Sequence, residues 1–303
     1  MPKVWDVAVI GAGPAGLSAA AEAAREGLSC VCIDRMGPGG LLINHGALHD
    51  AASLGADITG PDLVARLLDA AVEAGVELSI GEVRALRRDS NWIIETDDDA
   101  QRARAVVIAT GLSAGTLDVA GEAAFEGRGL SHCAACDGPL YVGQPVAVVG
   151  GDEWAVQEAL DLAAVAAWVT WVDDGAAESR PVSATALQSL SNVEVMAGRV
   201  VALTGEDGLE ALTVARADGQ ATVPARAVFV YSRRIPAVSL AQGLLDLDGS
   251  GHIMVDTGLR AGATLAFAAG DVRADGRQRV VAAIADGERA GRAAAGAVKA
   301  LAA

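Results

Sequence analysis

The stretch Val7-Ala8-Val9-Ile10-Gly11-Ala12-Gly13-Pro14-Ala15-Gly16-Leu17 decides the fold class of this chain. Its apolar start reads as a buried strand, the glycines as a turn, and the alanine-rich sequence to about Glu26 as a helix. A second strand over 29–33 ends at Asp34, eighteen positions after Gly16. Strand, glycine turn, helix, strand and acid in this order make a βαβ dinucleotide-binding unit. In such a unit Gly11 supplies the tight turn and Gly13 lets the backbone approach a pyrophosphate; Gly16 allows close helix packing, and Asp34 accepts from a ribose hydroxyl.

A second unit of the same kind begins at Pro145-Val146-Ala147-Val148-Val149-Gly150-Gly151-Asp152-Glu153-Trp154-Ala155, with a helix over 156–164 and a strand over 168–172. Between the two units the sequence predicts a helix near 61–73, short strands near 76–84 and 91–95, and a strand running into Ala109-Thr110-Gly111. Strands around 193–202, 212–216 and 227–231 follow, then Leu265-Ala266-Phe267-Ala268-Ala269-Gly270-Asp271 and a terminal helix. The fold class is α/β, with two Rossmann-like three-layer domains.

The 303 residues carry 23 basic and 39 acidic side chains, a formal net charge of −16. That balance excludes nucleic acid and an anionic membrane surface as partners, because phosphate binding is mainly cationic. Aromatic residues make up 3%, too few for a stacking platform on single-stranded nucleic acid. The uncharged apolar run 162–172 is far short of the roughly 20 residues a spanning helix needs. The first residues lack a secretory pattern, so a soluble cytoplasmic protein is expected.

Four cysteines fall in two close pairs, Cys30/Cys32 and Cys133/Cys136. The first pair shares one face of a strand and reads as core thiols. The second lies in His132-Cys133-Ala134-Ala135-Cys136-Asp137-Gly138, where two cysteines three apart can close a small, reversible disulfide and thiolates are good nucleophiles. Asp137, next to Cys136, is placed to shuttle a proton to the leaving thiolate. No second Cys/His pair stands at ligand spacing, which argues against zinc.

This Cys-x-x-Cys-Asp-Gly segment resembles the redox site of the low-molecular-weight thioredoxin reductases. Five further elements fall in that family's order: the first glycine motif, Ile58-Thr59-Gly60-Pro61-Asp62-Leu63, Ala109-Thr110-Gly111, the second glycine motif, and Ala269-Gly270-Asp271. The resemblance covers essentially the whole chain. It implies FAD in a discontinuous domain made of residues 1–116 and 246–303. An inserted NAD(P)H-binding-like domain, 117–245, would carry the redox pair, with hinges near 113–118 and 244–248. The implied FAD contacts are Gly11, Gly13, Gly16, Asp34, Gly40, Thr110, Gly111, Gly270, Asp271, Gln278 and Arg279. Cys136 would be the thiol nearer the isoalloxazine and Cys133 its partner, and which of them attacks the substrate stays open. The resemblance also implies a homodimer. His45 and His49 fall where the family's chain passes the flavin and read as polar loop residues, one of them available to tune the flavin. His132 is either an electrostatic aid to a thiolate or a spacer.

The second glycine motif departs from the family. Asp152 stands where the family needs a second glycine, and Trp154 adds bulk at the helix start. Asp173-Asp174-Gly175 replaces the His-Arg-Arg cluster that grips the NADPH 2′-phosphate, and Ser232-Arg233-Arg234-Ile235-Pro236 replaces Gly-x-x-Pro. Acids there repel NADPH. They suit the free ribose hydroxyls of NADH better, but Asp152 still faces the pyrophosphate. The expected activity is an FAD-dependent thiol-disulfide oxidoreductase passing electrons through flavin and Cys133/Cys136 to the disulfide of a thioredoxin-like protein, with a donor possible in ferredoxin rather than NADPH. Two other readings stand beside it: an oxygen-dependent oxidase that closes a disulfide in a small dithiol, and a non-catalytic flavin redox sensor.

Overall fold

The computed structural model describes residues 3–46, 48–55, 58–97, 99–175, 181, 183–276 and 279–301. The chain forms two compact units, one of Met1–Ser113 with Pro236–Ala303 and one of Ala114–Ile235. The first begins with β1 (Val4–Ile10), α1 (Pro14–Arg25), β2 (Cys30–Asp34), α2 (Gly60–Glu73), β3 (Glu77–Ile80), β4 (Val83–Arg88), β5 (Trp92–Thr96) and β6 (Ala100–Ile108). The second holds β7 (Leu130–Ser131), α3 (Ala134–Asp137), β8 (Pro145–Val149), α4 (Glu153–Ala163), β9 (Trp168–Asp173), α5 (Ala184–Gln188), β10 (Val193–Ala197), β11 (Arg199–Thr204), β12 (Ala211–Arg216), β13 (Gly219–Pro224) and β14 (Ala227–Val230). The chain then returns to the first unit with β15 (Ala266–Ala268) and α6 (Val280–Ala300).

In the first unit the sheet order is β3-β2-β1-β6-β5-β4, with β15 also on β6. β1 lies parallel between β2 and β6, with Val9 opposite both Cys32 and Val107. Strands covered on both faces read as unbroken apolar runs, which is why the sequence announces β1 so clearly. β6 is long enough to serve two neighbours: residues 100–103 pair antiparallel with β5 and residues 106–108 pair parallel with β15. On one face α1 and α6 pack backbone to backbone. A Cβ on Gly287 would stand 2.1 Å from the Ala15 carbonyl oxygen, and one on Gly291 2.4 Å from that of Ala19. Alanine and glycine let these helices approach the sheet and each other.

The second unit has a five-stranded parallel sheet, order β10-β9-β8-β14-β7, and an antiparallel sheet, β11-β12-β13. The single strand expected near 76–84 is two strands, β3 and β4, parted at Gly81, and that expected over 193–202 is β10 and β11, parted at Gly198. A Cβ on Gly198 would lie 2.6 Å from the Ala215 carbonyl oxygen, so only glycine lets the chain fold back there. The units divide at 113/114 and 235/236, before the expected 116/117 and 245/246. The reason is that Val238, Leu240 and Ala241 are buried with Trp92 and Ile253 in the first unit's core. Among the described residues no helix is long and apolar enough to cross a membrane.

Candidate active site

In the first unit the predicted cofactor residues gather at the carboxyl ends of the central strands, where the order turns from β2 to β6 and ligands bind in such sheets. Gly11 has φ +99°, and a Cβ on it would meet the Ala109 carbonyl oxygen at 2.4 Å. A Cβ on Gly16 would strike the Gly11 oxygen at 1.7 Å, whereas one on Gly13 would meet nothing within 4 Å. Gly13 therefore faces open space. It caps α1 without a side chain, so the first amides of that helix have no side-chain acceptor there. Gly40, at φ +55°, brings a second glycine loop against the first, its ideal Cβ 3.3 Å from the Gly13 Cα.

Asp34 ties these loops together. Its Oδ2 accepts from the Ala12 amide at 2.8 Å, and its Oδ1 from those of Met36 and Gly37 at 2.9 and 3.1 Å. Thr110 Oγ1 donates to the Ala237 carbonyl at 2.7 Å, and Gly111 beside it has φ +64° with open space at its Cβ position. Gly270 and Asp271 begin a short 3-10 turn after β15, with the Gly270 position against Ala15 of α1. Arg279 is the exposed cap of α6. Gln278 and the side chain of His49 lie outside the described residues; the His45 carbonyl accepts from the Gly60 amide at 3.0 Å. Cys30 and Cys32 are buried in β2. Desolvation, with Asp6 nearby, pushes the Cys30 thiol up to about 12, and burial raises Cys32 further, so both stay protonated and unreactive.

In the second unit Cys133 and Cys136 form a disulfide around the start of α3, with Cα atoms 5.3 Å apart. Cys133 is buried and Cys136 exposed. The Cys136 amide points at Cys133 Sγ, 3.0 Å away, so a thiolate on Cys133 inherits a hydrogen-bond donor when the bond opens. Ser131 Oγ accepts from the Cys133 amide at 3.1 Å and donates to Asp137 Oδ2 at 2.7 Å, fixing the proposed proton carrier beside the pair. His132 turns to other partners, its Nδ1 3.3 Å from the Val230 carbonyl and its Nε2 3.2 Å from Glu126.

The second glycine turn is closed by its own side chains. The Ala155 amide donates to Asp152 Oδ1 at 2.9 Å, so Asp152 caps α4, and its Oδ2 pairs with Arg234. The Arg234 side chain is only 8% exposed, and its guanidinium lies 4.4 Å from the Trp154 ring centre. The cap also explains why α4 starts at Glu153 rather than near 156. Asp173 accepts from the Gly175 amide at 3.0 Å, and Asp174 accepts from the Ser232 hydroxyl.

Residues 5–287 match the pyridine nucleotide-disulphide oxidoreductase family. The sequence is 33% identical over 301 residues to the thioredoxin reductase of Listeria monocytogenes, covering 96% of this chain and 92% of that one. This chain belongs to the thioredoxin reductase family. It is a flavin-dependent disulfide oxidoreductase with two Rossmann-like domains. Among solved structures it is similar to Lactococcus lactis thioredoxin reductase, with TM-score 0.92, 26% identity and 98% and 99% of the two chains covered. It is also similar to a ferredoxin-flavin thioredoxin reductase from Clostridium acetobutylicum, with TM-score 0.55, 26% identity and 99% and 100% covered.

The thioredoxin reductase family implies FAD, and the first unit fits it: the uncapped start of α1, the open face of Gly13 and the abutting Gly40 leave room for a pyrophosphate against backbone amides. Bound there, FAD supplies a two-electron carrier. Four residues with a part in the second unit's site escaped sequence reasoning. Ser131 lacked any motif, and Arg234 was visible only as a departure from the family wording. Tyr231 looked like the end of an apolar strand. Glu158 carried one signal, its place one helical turn after Trp154.

Proposed function

We propose that this thioredoxin reductase homologue reduces the disulfide of a thioredoxin-like protein with electrons that do not come directly from a nicotinamide, the donor being of ferredoxin type. One observation carries the reading: the Asp152 cap of α4, neutralised by Arg234 and covered by Trp154. A pyrophosphate at that helix end would find the Ala155 amide taken, the arginine charge already matched, and a carboxylate in its path. A like charge at about 4 Å costs ~1–4 kcal/mol depending on exposure, about fivefold or more in affinity. The likeness to a ferredoxin-flavin thioredoxin reductase supports the donor class.

Reduction of the pair breaks the Cys133–Cys136 bond with two electrons and two protons. Exchange with the partner's disulfide then re-forms that bond and leaves the partner as a dithiol. In this scheme Asp137 hands a proton to the thiolate beside it, and Cys136, the exposed sulfur, is the one a partner reaches. The reading includes a cytoplasmic homodimer, for which sedimentation should give about twice the 30.5 kDa chain mass.

Anaerobic mixing of the FAD-loaded protein with NADPH, NADH or reduced ferredoxin, followed by the flavin absorbance near 450 nm, tests the donor. Bleaching by ferredoxin alone, followed by reduction of thioredoxin, is the expected result. Prompt bleaching by NADPH would overturn it. A reduced small dithiol that bleaches the flavin with oxygen uptake would restore the oxidase reading.

A further inference from the structure

Among the described residues of the second unit Glu158 is the one buried carboxylate, 2% exposed, on the face of α4 that meets the redox turn. The amide of Ala134, the residue directly after Cys133, donates to Glu158 Oε2 at 3.2 Å and to Tyr231 Oη at 3.0 Å. The Tyr231 hydroxyl in turn donates to Glu158 Oε2 at 2.9 Å, and Trp154 Nε1 donates to Oε1 at 3.2 Å. Trp154 stacks on Tyr231 with ring centres 6.0 Å apart. Trp154, which helps to seal the glycine turn, thus also holds this carboxyl, and the carboxyl accepts from the amide of the residue that follows Cys133.

We propose that Glu158 is a positioning residue for the redox pair, holding the Ala134 amide and setting by its own charge how readily Cys133 and Cys136 form a thiolate. The charge is not fixed. Burial above all, with Asp161 on the same helix adding to it, raises the Glu158 carboxyl to about 7, against the hydrogen bonds from Tyr231, Trp154 and Ala134 that lower it. Among the described residues the other titratable groups around it are these. Tyr231, after β14, is itself pushed well above its usual range by burial and by Glu158, and Arg234 lies beyond Trp154. From α3 come the two cysteines and Asp137, the latter turned to Ser131. β8 and α5 carry no ionisable side chain, and β9 only Asp173 at its end. Above neutrality the ionised carboxylate opposes a second negative charge one peptide away; below it the neutral acid does not. This inference concerns the disulfide alone and does not depend on the electron donor.

The test uses FAD-loaded protein reduced with dithiothreitol and desalted anaerobically. Iodoacetamide alkylation of Cys133 and Cys136 is followed by peptide mass from pH 5.5 to 9, for the wild type, Glu158→Gln and Tyr231→Phe. The glutamine keeps the size and can still accept from Ala134. The expected result is that E158Q alkylates about three- to tenfold faster than wild type above pH 7 and converges with it at pH 5.5. In Y231F one hydrogen bond to the charged carboxylate is gone, so the inflection moves to higher pH. Identical profiles for E158Q and wild type, or a ratio between them that does not change with pH, would overturn the proposal. Should E158Q lose its FAD or melt early, the direction of the Y231F shift decides alone: no shift, or a downward one, also overturns it.

Discussion

The turn after β1, Gly11-Ala12-Gly13, and the turn after β8, Gly150-Gly151-Asp152, occupy the same place in the same βαβ motif. The first leaves its helix end uncapped and faces open space, whereas the second fills the corresponding space with a carboxylate, an arginine and an indole. The backbone has hardly registered the change. Gly150 keeps a positive φ of +150°, and Arg233 holds φ +50°, a left-handed conformation that suits the glycine of related sequences better than an arginine. The comparison teaches that the strand, turn and helix are held by packing, whereas the room left for a ligand depends only on what projects from the turn.

The sharpest way to break the comparison is to make the open turn resemble the closed one. Gly13→Asp should lower FAD affinity at least ~100-fold, the effect of a like charge about 4 Å from a phosphate at a partly screened site, read as lost 450 nm absorbance after gel filtration. The converse change is smaller. Asp152→Ala removes a helix cap and strands the nearly buried Arg234 without its partner, costing about 2–3 kcal/mol and lowering the melting midpoint by about 5 °C.

Glu158, buried beside the second unit's redox turn, provides a third test. Its folded pKa, about 7, is raised above the unfolded value, so the native state binds the extra proton. The stability it contributes is complete below about pH 4.5 and is lost as pH rises through 7, by on the order of 3 kcal/mol, and Glu158→Gln should flatten that part of a denaturant-midpoint profile. Smallest is Arg233→Gly. Relief of the left-handed arginine outweighs an exposed pair with Asp118, giving up to ~1 kcal/mol and a melting midpoint about 2–4 °C higher.

Much of this was legible in the sequence, for a physical reason. The apolar residues 7–10 of β1 and 146–149 of β8 are buried and the glycines that follow each have one backbone job, so the pattern is unambiguous. Cys133-x-x-Cys136 was equally plain, since its chemistry is local. Asp152 and Trp154 were recognisable as obstacles. Their partner Arg234, however, is 82 residues away, and no spacing rule joins them. Glu158, Tyr231 and Ala134 are likewise brought together only by the sheet, from three separate stretches of chain. The compact units part at 235/236 rather than near 245, because Leu240 and Ala241 pack in the first unit's core, a contact that no local pattern announces.

The seam between α1 and α6 bears on how the molecule is made. Gly287 and Gly291 fit against Ala15 and Ala19, and β15 completes an edge of β6, so the first unit draws on residues from both ends of the chain. On the ribosome, all of residues 114–235 have emerged before any of α6 has been synthesised. The unit with the disulfide can therefore fold as translation proceeds, while the amino-terminal half of its neighbour waits for α6 to pack on α1 and β15 to pair with β6. FAD capture is then a late event in biogenesis, and truncation within the last twenty residues should deprive cells of flavin-loaded protein while sparing the fold of the middle of the chain.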